Sequence, residues 1–120
     1  MRFYTKQHKF YCGIDLHART MDRCVLNQDG EILRHRNMKS APEPFLQAMA
    51  AYREELVVCV ECIFTWSWLA DLCTREGIPV VLGHARYMKA IQGGKAKNEK
   101  IDAPKIAVLL RGGMLPQAYV

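Results

Sequence analysis

The stretch Lys9-Phe-Tyr-Cys-Gly-Ile-Asp-Leu-His17 alternates with period two. Phe10, Cys12, Ile14 and Leu16 fall on one face, and Tyr11, Gly13, Asp15 and His17 on the other. It reads as a central strand, and that constrains everything after it. A second strand is expected over residues 19–27. Gln28-Asp29-Gly30 then supplies a hairpin turn, since Asp-Gly tolerates the positive φ such turns need. A third strand returns over residues 31–38. Ser40-Ala-Pro-Glu43 has the form of a capping box, Ser40 accepting from the backbone and Glu43 reaching back. The helix it opens runs to about Arg53, with Phe45, Leu46, Met49 and Tyr52 at helical spacing. Residues 56–62 form a short apolar run, read as a buried strand. Residues 66–76 read as a helix ended by Gly77, and residues 78–82 as another buried strand. Residues 84–100 read as a helical turn and then a loop. A last helix over 104–111 is closed by Gly112-Gly113. The order is β-β-β-α-β-α-β-α, an α/β mixed sheet with an antiparallel edge and a parallel half, flanked by helices.

At 120 residues this is one domain, assigned to residues 1–113, with 114–120 read as the start of a linker. The longest apolar stretches fall far short of the ~18 residues a membrane span needs. The N-terminus is polar and basic, unlike a secretory signal. Five cysteines, an odd number, suit free thiols in a reducing cytosol. Cys59-Val-Glu-Cys62 has CxxC spacing but no second pair of ligands, and in a strand residues three apart point to opposite faces. The +5 net charge sits in one segment. From His84 to Arg111 there are seven basic residues (Arg86, Lys89, Lys95, Lys97, Lys100, Lys105 and Arg111) against Glu99 and Asp102. The rest of the chain is neutral by count. Such asymmetry suits a polyanion partner; a solvated basic face is the plainer reading of a charge run.

Most acids have an ordinary place: Asp29 in a turn, Glu43 in a cap, Glu54, Glu55, Asp71 and Glu76 on helical polar faces or ends. Asp15 and Glu61 do not, because each lies in an apolar strand where a lone carboxylate is costly. An ion pair with Arg19, Arg23 or a nearby lysine would satisfy either acid. If their strands are neighbours, however, both acids stand at the carboxyl ends where open α/β sheets bind ligands. Two close carboxylates repel unless a proton or metal lies between them, and oxygen ligands alone favour Mg²⁺ or Mn²⁺. Glu99 and Asp102 lie three apart inside the basic segment, where they either balance local charge or complete such a site while the lysines hold phosphates.

Tyr11-Cys-Gly-Ile-Asp-Leu-His17, Val60-Glu61, Gly93-Gly-Lys-Ala-Lys-Asn-Glu-Lys-Ile-Asp-Ala103 and Leu109-Leu-Arg-Gly-Gly-Met-Leu-Pro116 together carry a resemblance. The chain resembles the N-terminal domain of bacterial insertion-sequence transposases with a DEDD acid set on a resolvase-like, ribonuclease-H-like fold. These are the Piv-like recombinases of the insertion sequence 110 group, associated with bridge-RNA-guided recombination. The resemblance implies a cytoplasmic bacterial protein acting on DNA, with a structured guide RNA and a homo-oligomer in the full-length protein. It places catalytic, metal-binding acids at Asp15, Glu61, Glu99 and Asp102. Arg86, Lys89, Lys95, Lys97, Lys100 and Lys105 would contact nucleic acid. Glu99 stands where the family usually has Asp. Pro104 biases the residue before it away from helical geometry, so the helix is expected to start there, with Asp102 just before it and Glu99 in the loop. Family members continue into a second domain with a serine proposed as nucleophile. Neither Ser40 nor Ser67 matches it, so little complete recombination is expected of this chain alone.

Rival readings are separable. Sugar-kinase and actin-like ATPases also begin with an acid-bearing hairpin, but need glycines after it for phosphate approach, and Leu16-His-Ala-Arg-Thr20 has none. A divalent-metal-dependent structure-specific nuclease would use the same acids with water. A non-catalytic nucleic-acid-binding module would have them ion-paired only. His17 shares the parity of Asp15, and a single histidine there more often serves structure.

Overall fold

A computed structural model describes residues 2–62, 65–91 and 101–118. In chain order the strands are β1 (Phe3–Tyr4), β2 (Phe10–Leu16), β3 (Thr20–Asn27), β4 (Ile32–Lys39), β5 (Leu56–Glu61), β6 (Val80–Gly83) and β7 (Leu115–Pro116). The helices are α1 (Pro42–Met49), continued by a 3-10 turn at Ala50–Tyr52, α2 (Ser67–Arg75), α3 (Ala85–Ile91) and α4 (Ala103–Arg111). Five strands form one mixed sheet in the order β4-β3-β2-β5-β6. The β2–β3–β4 pairs are antiparallel and the β2–β5 and β5–β6 pairs parallel. This is an α/β mixed sheet compatible with the ribonuclease-H-like arrangement.

The alternation in β2 divides the core as expected. Cys12, Ile14 and Leu16 join Phe45 and Met49 of α1 and Leu69, Leu72 and Cys73 of α2. Tyr11 faces the other way, into a cluster with Val57, Cys59, Met88 and the α4 residues Ala103, Ile106, Ala107 and Leu110. Gly13 explains how closely α4 seats there. A Cβ on it would stand 2.4 Å from the Ala103 carbonyl oxygen and 2.5 Å from the Ala107 amide nitrogen, so helix backbone rests on strand backbone.

Three local features depart from expectation. The capping box at Ser40 does not form: α1 starts at Pro42 with Ala41 as its N-cap and no side-chain cap. Ser40 lies one residue too far back, and its hydroxyl donates to the His17 carbonyl at 2.8 Å. Residues 85–91 make a full helix, α3, rather than a single helical turn, anchored by Met88 in the core. Leu115–Pro116, within the stretch read as a linker, pair antiparallel with Phe3–Tyr4. Gln117 bridges Gly83, and the Ala118 amide donates to the Leu82 carbonyl.

Candidate active site

Asp15 sits one residue beyond Ile14, and Glu61 one beyond Val60; Ile14 and Val60 are parallel register partners. The two acids are thus side by side, on strands ~4.8 Å apart, and on the face that α4 covers. α4 brings the third acid. Asp102 is its N-cap, in extended geometry, and its Oδ1 accepts the Lys105 amide at 3.0 Å. The helix begins at Ala103, one residue before the expected Pro104. Because Ala103 lies over Gly13, this cap hangs beside the strand just below Asp15. The Cys24 thiol, directly across from Gly13, registers the arrangement: burial pushes it up to about 11, and the charges of Asp22 and Asp102 push the same way. The positive end of α4 points toward the carboxylates, which favours anions there.

Asp22 was not anticipated. It is the antiparallel partner of Asp15, so its side chain stands directly opposite on the same face. Each of these two aspartates has a histidine: His17 Nε2 is 3.3 Å from Asp15 Oδ1, and His35 Nε2 is 2.6 Å from Asp22 Oδ2. Asp15 therefore leans on His17 and not on the arginines thought available to it. Arg23 could not serve, since it is the partner of Ile14 and shares the opposite face. Register was the missing signal. The β2–β3 turn closes with the His17 amide on the Thr20 carbonyl, and starting the second strand at residue 19 obscures the pairing of residues 15 and 22.

Among the described residues, no three His, Cys, Asp or Glu side chains stand together at metal-ligating distance. The donor chemistry nonetheless fits a hard divalent cation: carboxylate oxygens from two adjacent strands and a helix cap on one face. Glu99 lies outside the described residues, as do Lys95, Lys97 and Lys100. Arg86 and Lys89 are on α3, and Lys105 is in the first turn of α4. Arg86 helps line a cleft with Cys62, His84, Ala85 and Ala118, beside the end of β5. Arg111 is elsewhere, at the far end of α4, donating to the Gln28 carbonyl.

The cysteines are free among the described residues. Burial holds Cys12 and Cys73 up at about 12 and Cys59 well above the ordinary thiol range, so these thiols stay protonated core groups. No described helix is long and apolar enough to cross a membrane. A family model described as a transposase, that of the DEDD transposases of insertion sequence 110, matches residues 12–119. Compared with curated proteins, the chain has no significant match.

Proposed function

Because the chain belongs to the DEDD transposase family of insertion sequence 110, we propose that it is the metal-holding part of a transposase active site. In this reading Asp15, Glu61 and Asp102, with Glu99, hold Mg²⁺ or Mn²⁺ against a DNA phosphodiester. The observation that supports it is that two acids end adjacent parallel strands on the face where Gly13 seats α4, the helix capped by the third. When bound, divalent ions supply activation of the attacking oxygen and stabilisation of the leaving one.

The chain's own groups do the rest. His17 and His35 contact the carboxylates of Asp15 and Asp22 and help to orient them on the α4 face. Asp102 is fixed by its own cap bond, which leaves its second oxygen for the site. Arg86, Lys89, Lys95, Lys97, Lys100 and Lys105 hold the phosphate backbone beside it. Neither serine of the chain is placed to attack there: the Ser40 hydroxyl donates to the His17 carbonyl, and Ser67 begins α2, on the other face of the sheet. Strand transfer by this chain alone is accordingly weak or absent. A structured guide RNA and self-association belong to the same proposal.

The test is thermal unfolding under metal titration. Mg²⁺ or Mn²⁺ raises the Tm of the wild-type chain, because ligands that bind only the folded state stabilise it. Asp15→Asn removes that rise. A wild-type protein whose melting ignores both ions would sink the metal site.

A further inference from the structure

We propose that the β4 edge is a second DNA contact, an arginine face that takes the phosphodiester backbone of a duplex on the side of the sheet away from the carboxylates. Arg23 of β3 is the direct partner of Arg36 on β4, and Arg34 lies one pleat along, opposite Val25. All three share the face of Ile14. Arg23 is only 8% exposed, and its Nε and Nη1 are buried without a hydrogen-bond partner. Arg34 and Arg36 are exposed, and none of the three makes an ion pair with a described residue. Like charges directly opposite one another on neighbouring strands are destabilising, and so is a buried guanidinium with unmet donors. Folding alone gains nothing from this arrangement. A polyanion laid along the strand relieves the repulsion among the three cations and offsets the buried charge of Arg23.

The setting selects the occupant. β4 is the outer strand of the sheet, eight residues long and exposed at every position from Ile32 to Asn37. Such an edge would ordinarily invite a second strand. Pairing with another copy of β4 would set arginines against arginines, so charge disfavours it. Between Ile32 and Ser40 the chain has Arg34, His35, Arg36 and Lys39 and no acid. Lys39 is the partner of Thr20, and the adjoining turn carries Arg19. Basic side chains therefore wrap the β4 edge, Lys39 on the carboxylate face with Asp22 and Arg36 and Arg34 on the opposite one. DNA engaged at Asp15 would meet Arg19 and Lys39 first, then Arg36 and Arg34. The inference rests on the reading above only in taking DNA at the strand ends.

Binding of a labelled DNA duplex to the full chain, followed by anisotropy across a salt series, tests it. Arg34→Ser with Arg36→Ser is expected to weaken binding about fivefold or more and to reduce the salt slope by nearly two. Arg34→Lys with Arg36→Lys restores the slope. The metal-dependent Tm rise stays as in wild type, which separates this site from the carboxylates. Arg23→Met raises the Tm of the free protein while weakening DNA binding, a combination that a purely structural arginine would not give. Unchanged affinity and slope in the double serine variant would overturn the proposal. So would a lowered Tm in Arg23→Met, or binding for which structured RNA competes and duplex DNA does not.

Discussion

On the α4 face the sheet meets its helix through small residues, Gly13 against Ala103 and Ala107, whereas on the α1–α2 face the large side chains of Phe45, Met49 and Leu69 pack between sheet and helices. Close backbone contact leaves α4 little room to slide, which fixes the cap residue Asp102 relative to Asp15 and Glu61. Large side chains on the other face can repack around small changes. Placement of acids is thus built into the first face and bulk stability into both. The strong polar groups divide the same way, carboxylates toward α4 and the unpaired Arg23 toward the other side.

The two faces respond differently to one methyl group added to the first and to several atoms removed from the second. Gly13→Ala is expected to cost about 3 kcal/mol or more, because the new atom meets backbone that cannot turn away. Phe45→Leu, at a fully buried position, should cost about 1–2 kcal/mol. Chemical denaturation of both variants measures the order. If the glycine variant were the milder one, the seating of α4 would not be the rigid element.

The N-terminal end of α4 carries a smaller effect. Asp102→Ala loses the bond from the Lys105 amide and should cost about 1 kcal/mol. Under the proposed function it also removes the metal-dependent rise in Tm. Asp102→Asn retains a capping oxygen, so it should recover most of the stability but not the full response to metal. Calorimetry with and without Mg²⁺ distinguishes the two roles.

The smallest effect concerns the opposite end of the sheet. His8 lies against Tyr4, and its amide donates to the Tyr11 hydroxyl. Burial holds its ring below the ordinary histidine range, with Lys6 adding to this and Glu55 opposing it. The unfolded chain therefore takes up that proton first. His8's contribution is intact above pH ~6.5 and is lost as pH falls from there through its folded value. His8→Gln should flatten part of the fall in Tm below that pH. A titration of His8 by nuclear magnetic resonance that gave a midpoint above a free histidine would reverse the sign.

The central strand was legible because both its faces are buried against different partners, so its alternation is complete in the residues themselves. Asp15 and Glu61 were legible for the same reason, each being a carboxylate where apolar residues belong. Asp22 was not, because only the two-residue turn at Ala18-Arg19 reveals that it faces Asp15. Ser40 misled because a capping motif read by spacing gives no sign of which carbonyl will claim the hydroxyl. The arginine edge disappeared in the bookkeeping of charge by segment. Asp29, Glu31 and Glu43 cancel Arg34, Arg36 and Lys39 along the chain, yet none of them forms an ion pair with those side chains in the fold.

The seating of α4 on Gly13 also sets an order in time. β2, β5 and the two helices on the far face all precede residue 84, so one side of the sheet can close while the chain is still being made. The other side cannot. Tyr11, Val57 and Cys59 stay open to solvent until residues 101–111 emerge from the ribosome, and the β1–β7 pair waits for Leu115. During synthesis the nascent domain thus presents a bare apolar groove, and Asp102 joins the face of Asp15 and Glu61 only after that groove is covered.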